Sequence, residues 1–395
     1  MQRGGTSTAG ADEATRPARA RSPFTTELVR GREPFLRLRA GWDAALLAGP
    51  DPTPALEHDF LRLWVEAFAA SQEPLVLTAQ RAGRLSTALP LLFSASTVDG
   101  VPVRLAQSLG DAHATRGGLL VGPEGLDAVP ALVERLAQEP WDALFLRDVP
   151  QEAGVLDRLV RALAEAGLAT HLESPMDSPY VPLPGSYPEL EERLDARLKQ
   201  NLRRRRRRLE EQGPVSFELF TSADGLDQAL EEAFDIEASG WKGREGSSIR
   251  DRPQTVGFYA AFARALARSG RLRLSFLKVG DERIAFQLGH VTRGRYYLPK
   301  TGYRETYRAE SPGQLLTSEV LRRCIDERLE TLEFLGHAMP WKRDWSPLVR
   351  PHASVWAFRR SWRGRAAELV RCQLRPRLAA GWKRVQAQLS RGSKP

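Results

Sequence analysis

The chain has 395 residues, a formal net charge of +9, 42% hydrophobic and 27% charged residues. That length suggests two domains, and the hydrophobic fraction excludes wholesale disorder. Two cysteines and six scattered histidines exclude a disulfide framework and a Cys-rich or HExxH metal site, and no run approaches the roughly 18 apolar residues of a membrane span.

Residues 1–33 are rich in Gly, Ser, Thr, Ala and Arg and read as a disordered tail. Residues 56–70 predict a helix with Leu56, Phe60, Leu63, Trp64 and Phe68 on one face. Residues 74–95 predict two strands around a turn at Ala82-Gly83-Arg84, followed by a strand at 101–107. A helix at 124–138, a buried strand at 142–149, a helix at 152–166 and a strand at 168–173 come next. Five prolines (175, 179, 182, 184 and 188) make 174–188 read as an extended linker.

The second half repeats this order. A long helix is expected over 187–212, with Ser186 and Glu189 at capping-box spacing. A strand at 215–220, a helix at 225–239, a Gly-rich loop at 239–249 and a helix at 255–268 follow. Residues 271–303 read as three antiparallel strands turning at Gly280-Asp281 and Arg293-Gly294. A helix starting near Pro312, a strand at 331–335 and a strand at 353–359 complete the pattern. Two copies of one α/β fold fit that order: lobes at 34–185 and 186–354, then a basic amphipathic tail at 355–395.

The charge sits in that tail. Residues 355–395 carry a net +10, so residues 1–354 sum to −1, which argues against a nucleic-acid binder as a whole. The tail's tryptophans and leucines among arginines suit an interfacial helix on anionic lipid, which would place a cytoplasmic protein at the inner membrane face. Arg203 to Arg208 form a second basic run, read either as a solvated helix face or as a polyanion contact. Only seven of the 58 basic residues are lysines, so each lysine in the folded body draws notice.

The segment "AESPGQLL" (309–316) carries the strongest local signal. Ser311 suits an N-cap, Pro312 the first helical position, and Gln314 completes a Ser-x-x-Gln box. The amides from Gly313 to Leu315 would then be available to a phosphate or pyrophosphate, with an ordinary capped helix as the alternative.

A strand meander followed by such a helix looks like the acyl-CoA-binding half of the GNAT acetyltransferase fold. The order of "GWKGREGSSI", "FYAAFA", "DERIAFQLGHV", "YYLPKTGYRETYRAESPGQLL" and "LEFLGHAMPWKRDW" resembles the CelD-like (cellulose-biosynthesis) branch, also described as BioF2-like acetyltransferase domains. That branch is related in fold to the Fem peptidyltransferases, which carry two GNAT-like units. The match covers about 186–350. Over 35–185 it rests on strand order from Ser86 to Leu92 and on "SLGD" (108–111). Where family members show a G-D-x-x-Y-K-like stretch, this chain has Gly336 to Lys342, with His for Asp and Trp for Tyr.

The resemblance implies tandem GNAT-like lobes, each a mixed, mostly antiparallel sheet flanked by helices. It implies acyl transfer from acetyl-CoA or another acyl-CoA to an amine, on a sugar or envelope-polysaccharide precursor, without a metal. Such chemistry needs a base, an oxyanion donor and an acid for the thiolate. Glu237 is the favoured base, beside Asp235, with Asp344 as second candidate; Tyr303 and Tyr307 are candidates for the acid. Ser311, Gly313, Gln314, Leu315 and Lys300 would hold the co-substrate, and Trp241, Lys242 and Lys342 the acceptor. The three lysines would converge as point charges on an anionic substrate or on the CoA phosphates. Two other readings stand beside this one: a Fem-like aminoacyl-tRNA-dependent transferase, and a non-catalytic membrane-associated accessory of polysaccharide biosynthesis.

Overall fold

Strands with long buried runs, covered on both faces, build one continuous sheet. In the computed structural model, residues 22–50, 53–111 and 113–375 are described. The strands are β1 (Thr25–Arg30), β2 (Pro74–Arg81), β3 (Arg84–Val98), β4 (Val101–Ser108), β5 (Leu120–Val121), β6 (Ala143–Pro150) and β7 (Ala169–Pro182). They continue as β8 (Val215–Phe220), β9 (Leu272–Val279), β10 (Glu282–Thr292), β11 (Arg295–Tyr303), β12 (Thr331–Glu333) and β13 (Val349–Phe358). Their order is β1-β2-β3-β4-β6-β13-β7-β12-β11-β10-β9-β8, with β5 on β3. Among the described residues, only β4–β6 and β11–β12 pair in parallel; the other pairs are antiparallel. The expected mixed, mostly antiparallel α/β architecture is the observed one.

β7 ties the two halves of the sheet together. Its first part pairs with β13 and its last three residues pair with β12. The proline-rich stretch expected as a linker is therefore a central strand. Proline lacks the ladder N–H and is excluded from regular central positions. Here Pro175 falls in a bulge, Pro179 at the handover from β13 to β12, and Pro182 at the strand end.

Three further boundaries differ from expectation. Thr25–Arg30, assigned to the tail, is an edge strand against β2, because β-branched Thr25, Thr26 and Val29 suit a pleated edge; residues 1–21 lie outside the described residues. β13, split by the sequence between the second lobe and the tail, pairs with β6 and β7 of the first lobe, burying Val355, Ala357 and Phe358. The helix Trp362–Glu368 then docks on that lobe through Ser361, which caps it and donates to Asp142. Of the amphipathic tail, residues 376–395 lie outside the described residues. The long helix at 187–212 is two helices, Tyr187–Arg193 and Ala196–Glu210, because Leu194 is extended and Asp195 starts a new N-cap.

The lobes share a core. Phe60, on the helix His58–Phe68, packs edge-on against Phe258 and Phe262 of the helix Pro253–Arg268, at 5.3 Å in both cases. Burying aromatic rings across the junction fixes the second lobe's helices against the first. The helices Ala196–Glu210 and Pro312–Asp326 cover the other face of β9–β11.

Candidate functional site

A cleft opens where β11 and β12 part. Their parallel pairing runs from Arg295–Thr331 to Tyr297–Glu333 and stops. At that point β11 bulges: Leu288 pairs with Lys300 and His290 with Tyr297, so Leu298 and Pro299 together face Gly289. A bulge bends its strand, and Pro299 offers no ladder N–H. On the other side, Leu335 and Gly336 take left-handed conformations (φ 53° and 58°) that turn the chain away after β12. The gap between Leu298–Tyr303 and Phe334–Lys342 is a cleft of about 500 Å³, closed at the first-lobe side by His113 and Thr115.

The start of the helix Pro312–Asp326 forms part of the rim through Ser311, Gly313 and Gln314. Its geometry differs from the expected capping box. Ser311 is left-handed (φ 46°, ψ 58°) and its side chain makes no cap hydrogen bond. Its carbonyl accepts from the Gln314 and Leu315 amides, at 3.0 and 3.3 Å. Pro312 has no N–H, so Gly313 supplies the one free amide among the three expected. Gln314 binds elsewhere: its amide donates to Asp344 and to the Trp341 carbonyl, and its oxygen accepts from the Trp345 indole. Leu315 is buried in the core. A Cβ on Gly313 would touch only the Tyr303 ring, at 3.6 Å, so this glycine leaves space over Tyr303.

Glu237 reaches the cleft because Gly302 lets the helix Leu226–Ala238 press on β11; a Cβ at 302 would meet the Glu237 Cα at 3.1 Å. The carboxylate is 2% exposed, and both its oxygens are occupied. Oε1 accepts from Lys242 Nζ at 2.5 Å and Oε2 from the Ile249 N–H at 2.8 Å. A carboxylate so engaged anchors Lys242 and the 249 turn rather than standing free as a base. Asp344 is exposed, bonded to Gln314 and off the cleft lining. Asp235 pairs on the surface with Arg250, and Tyr307 donates to Glu282 away from the cleft. Tyr303 lines the cleft.

All three lysines singled out by scarcity meet in this cleft, with Trp241 at its mouth. Lys242 bonds Glu237 and the Thr301 carbonyl. Lys342 donates to the carbonyls of Leu335 and His337. Lys300 Nζ lies 5.0 Å from the centre of the Tyr259 ring. Burial pushes the ammonium groups of Lys300 and Lys342 down to about 8, with Lys242 adding repulsion at both.

The first lobe contributes a histidine that composition did not single out. His113 Nδ1 is 2.9 Å from the hydroxyl of fully buried Tyr259, and its ring stacks on Phe68. Asp111, the last residue of the "SLGD" stretch, accepts from the His113 N–H and the Trp64 indole. Burial holds His113 below the ordinary histidine value, so it is neutral near pH 7. In the tautomer with Nδ1–H donating to Tyr259, Nε2 is a proton acceptor on a residue that lines the cleft; in the tautomer that accepts from the Tyr259 hydroxyl, Nε2 carries the proton. The signal that could have found it is its place two residues past "SLGD". Among the described residues, no group of three or more His, Cys, Asp or Glu side chains is placed to hold a metal. No described helix is long and apolar enough to cross a membrane.

Residues 196–343 match a family described as an acetyltransferase (GNAT) domain. The solved structure of FemX superposes with a TM-score of 0.56 at 14% identity, over 81% of this chain and 95% of that one. The C-terminal domain of a putative lysylphosphatidylglycerol synthetase from Agrobacterium fabrum gives 0.49 at 11% identity, covering 85% and 95%. A tandem GNAT protein from the clavulanic acid biosynthesis pathway gives 0.46 at 13% identity, covering 84% and 98%. At 14% identity the likeness to FemX is one of fold, and the match over 196–343 makes the fold of that part of the chain GNAT-related. No curated protein matches the chain.

Proposed function

We propose that this GNAT-related fold catalyses transfer of an acyl group from a thioester, of the acyl-CoA class, to an amine. The observation that carries the reading is the parting of β11 and β12. It leaves a strand edge from Leu298 to Gly302 facing an open groove, where an extended amide-bearing arm can lie beside β11 as a missing strand would.

The chemistry follows from what lines that groove. The amine nitrogen attacks the thioester carbonyl, forming C–N and then breaking C–S. His113 Nε2 takes the proton lost by the amine. The Tyr303 hydroxyl gives a proton to the departing thiolate, with the amine lying on the His113 side of the carbonyl. No covalent enzyme intermediate is needed. Free acetyl-CoA titrated into the protein by calorimetry, with thiol release followed in parallel, tests the reading. Gly313→Trp places a ring over Tyr303 without a backbone clash and is expected to abolish binding. Unchanged acetyl-CoA affinity in that variant would contradict it.

A second reading rests on the helix Ala196–Glu210. Arg204, Arg207 and Arg208 are exposed there, and Arg204 bonds Asn201 rather than an acid. Such a face favours a charged-tRNA donor, as in the Fem-like alternative; it predicts RNA binding that weakens steeply with salt and no acyl-CoA binding.

A further inference from the structure

Three of the five lysines among the described residues line one cleft in a chain that uses arginine for 51 of its 58 cations. The cleft lining holds two acids, and both are committed. Glu237 is bonded by Lys242. Glu305 faces Arg308 at 3.9 Å and Arg244 at 3.5 Å. Neither Lys300 nor Lys342 forms an ion pair: Glu237 and Asp111 attract the Lys300 ammonium without contacting it, and no acid acts on Lys342. Among the described residues the Lys300 ammonium makes no hydrogen bond, and the Tyr259 ring lies beside it. Lys342, 8% exposed, donates two hydrogen bonds to neutral carbonyls and keeps a third N–H.

An ammonium taken from water without a paired acid is costly, and Lys242 adds repulsion at each of the two. Fold stability gains nothing from Lys300, since an apolar side chain would fill its place, whereas Lys342 also holds the Leu335 and His337 carbonyls. A bound anion would compensate both. Position indicates which ligand brings that anion. Lys300 and the proposed base share one neighbour, Tyr259, whose ring lies by Lys300 Nζ and whose hydroxyl lies by His113 Nδ1. Gly313, at the donor rim, sits instead against Tyr303, three residues and about 10 Å further along β11. Lys300 therefore lies at the amine's end of the groove, and Lys342 faces the same cleft from its opposite wall.

We infer that the acceptor is an amine that also carries a phosphate or carboxylate, and that Lys300 and Lys342 bind this anionic group. The inference rests on the acyl-transfer reading and narrows its substrate class. It assigns to the anion the task of holding the amine beside His113.

Inorganic phosphate serves as the probe. It is titrated by calorimetry into the full-length protein, wild type, Lys300→Met, Lys342→Met and Lys300→Arg, with and without saturating acetyl-CoA; acetyl-CoA is titrated into the same proteins. The expected result is phosphate binding to wild type in both states, weakened at least tenfold by each Met substitution and within threefold of wild type in Lys300→Arg. Acetyl-CoA affinity should change by less than threefold in every variant. Absence of phosphate binding to wild type, or binding to either Met variant as tight as to wild type, overturns the inference. So does displacement of phosphate by acetyl-CoA with a parallel loss of acetyl-CoA affinity, which would give the two ammonium groups to the donor's own phosphates. Should wild type bind no acetyl-CoA at all, the acyl-transfer reading fails by itself, and the phosphate titrations still decide whether the lysines form an anion site.

Discussion

Tyr297 and Glu333 are the last residues in register between β11 and β12; one step further, Leu298 and Phe334 lie on opposite walls of the cleft. Glu333 is held there by Arg350 of β13, whose guanidinium bonds both carboxylate oxygens at 2.8 Å. The strand that completes the first lobe thus also fixes the point at which the second lobe's sheet opens. The groove's shape is a property of both lobes together.

Glu237→Gln leaves Lys242 without its counter-charge while keeping the shape of the side chain. Breaking a buried pair from one side is destabilising. With Lys242 23% exposed, the expected loss is about 2–3 kcal/mol, read by chemical denaturation. Equal stability of the variant would show that the pair is not structural.

His113 is expected to set the acid side of the pH–rate profile. The neutral ring is the active form, and burial lowers its pKa. The limb in kcat/KM should therefore fall below about pH 6.5, the ordinary value. His113→Gln should lower kcat roughly 10²–10⁴-fold and flatten that limb. A limb that persists in the variant would assign the base elsewhere.

Lys300 should make the unliganded protein less stable near neutrality. Its folded value, about 8, lies below the ~10.4 of an unfolded chain. Below pH 8 both states hold the proton and the burial penalty is felt in full. As pH rises from 8 toward ~10.4 the folded state releases its proton first, so wild type gains stability. Lys300→Met is expected to be more stable by about 1–3 kcal/mol at pH 7, with the difference vanishing near pH 10.5. A pH-independent difference would contradict this.

Phe60→Ala opens a void between the lobes at Phe258 and Phe262 and should cost about 3–4 kcal/mol. Since Phe258 packs against Tyr259 at 5.1 Å, the variant should also disturb His113. The check is a shifted acid limb in the surviving folded enzyme.

The sequence made the local elements readable. The β9–β11 meander turns where glycines were expected to allow it, with Gly280 and Gly294 at φ 57° and 69°. Gly83 does the same between β2 and β3, at φ 75°. The gathering of Lys242, Lys300 and Lys342 was signalled by their rarity. What escaped depends on long-range partners. β13 reads as any apolar strand, and nothing in its residues announces that it inserts between β6 and β7. Ser311-Pro-Gly-Gln has the spacing of a capping box, but Gln314 finds Asp344 and Trp345 across the groove, and Ser311 turns left-handed. Glu237 resembles a free base until Gly302 lets its helix close on β11, where Lys242 and the Ile249 amide occupy it. His113 acquires its role only through Tyr259, 146 residues away.

A structure determined after soaking with acetyl-CoA tests the central claim most directly. The thioester arm is expected in the gap between Leu298–Gly302 and Phe334–Gly336, with its sulfur near the Tyr303 hydroxyl and its acetyl group turned toward His113. A donor bound outside that gap, or a gap that stays closed to it under saturating conditions, would contradict the account.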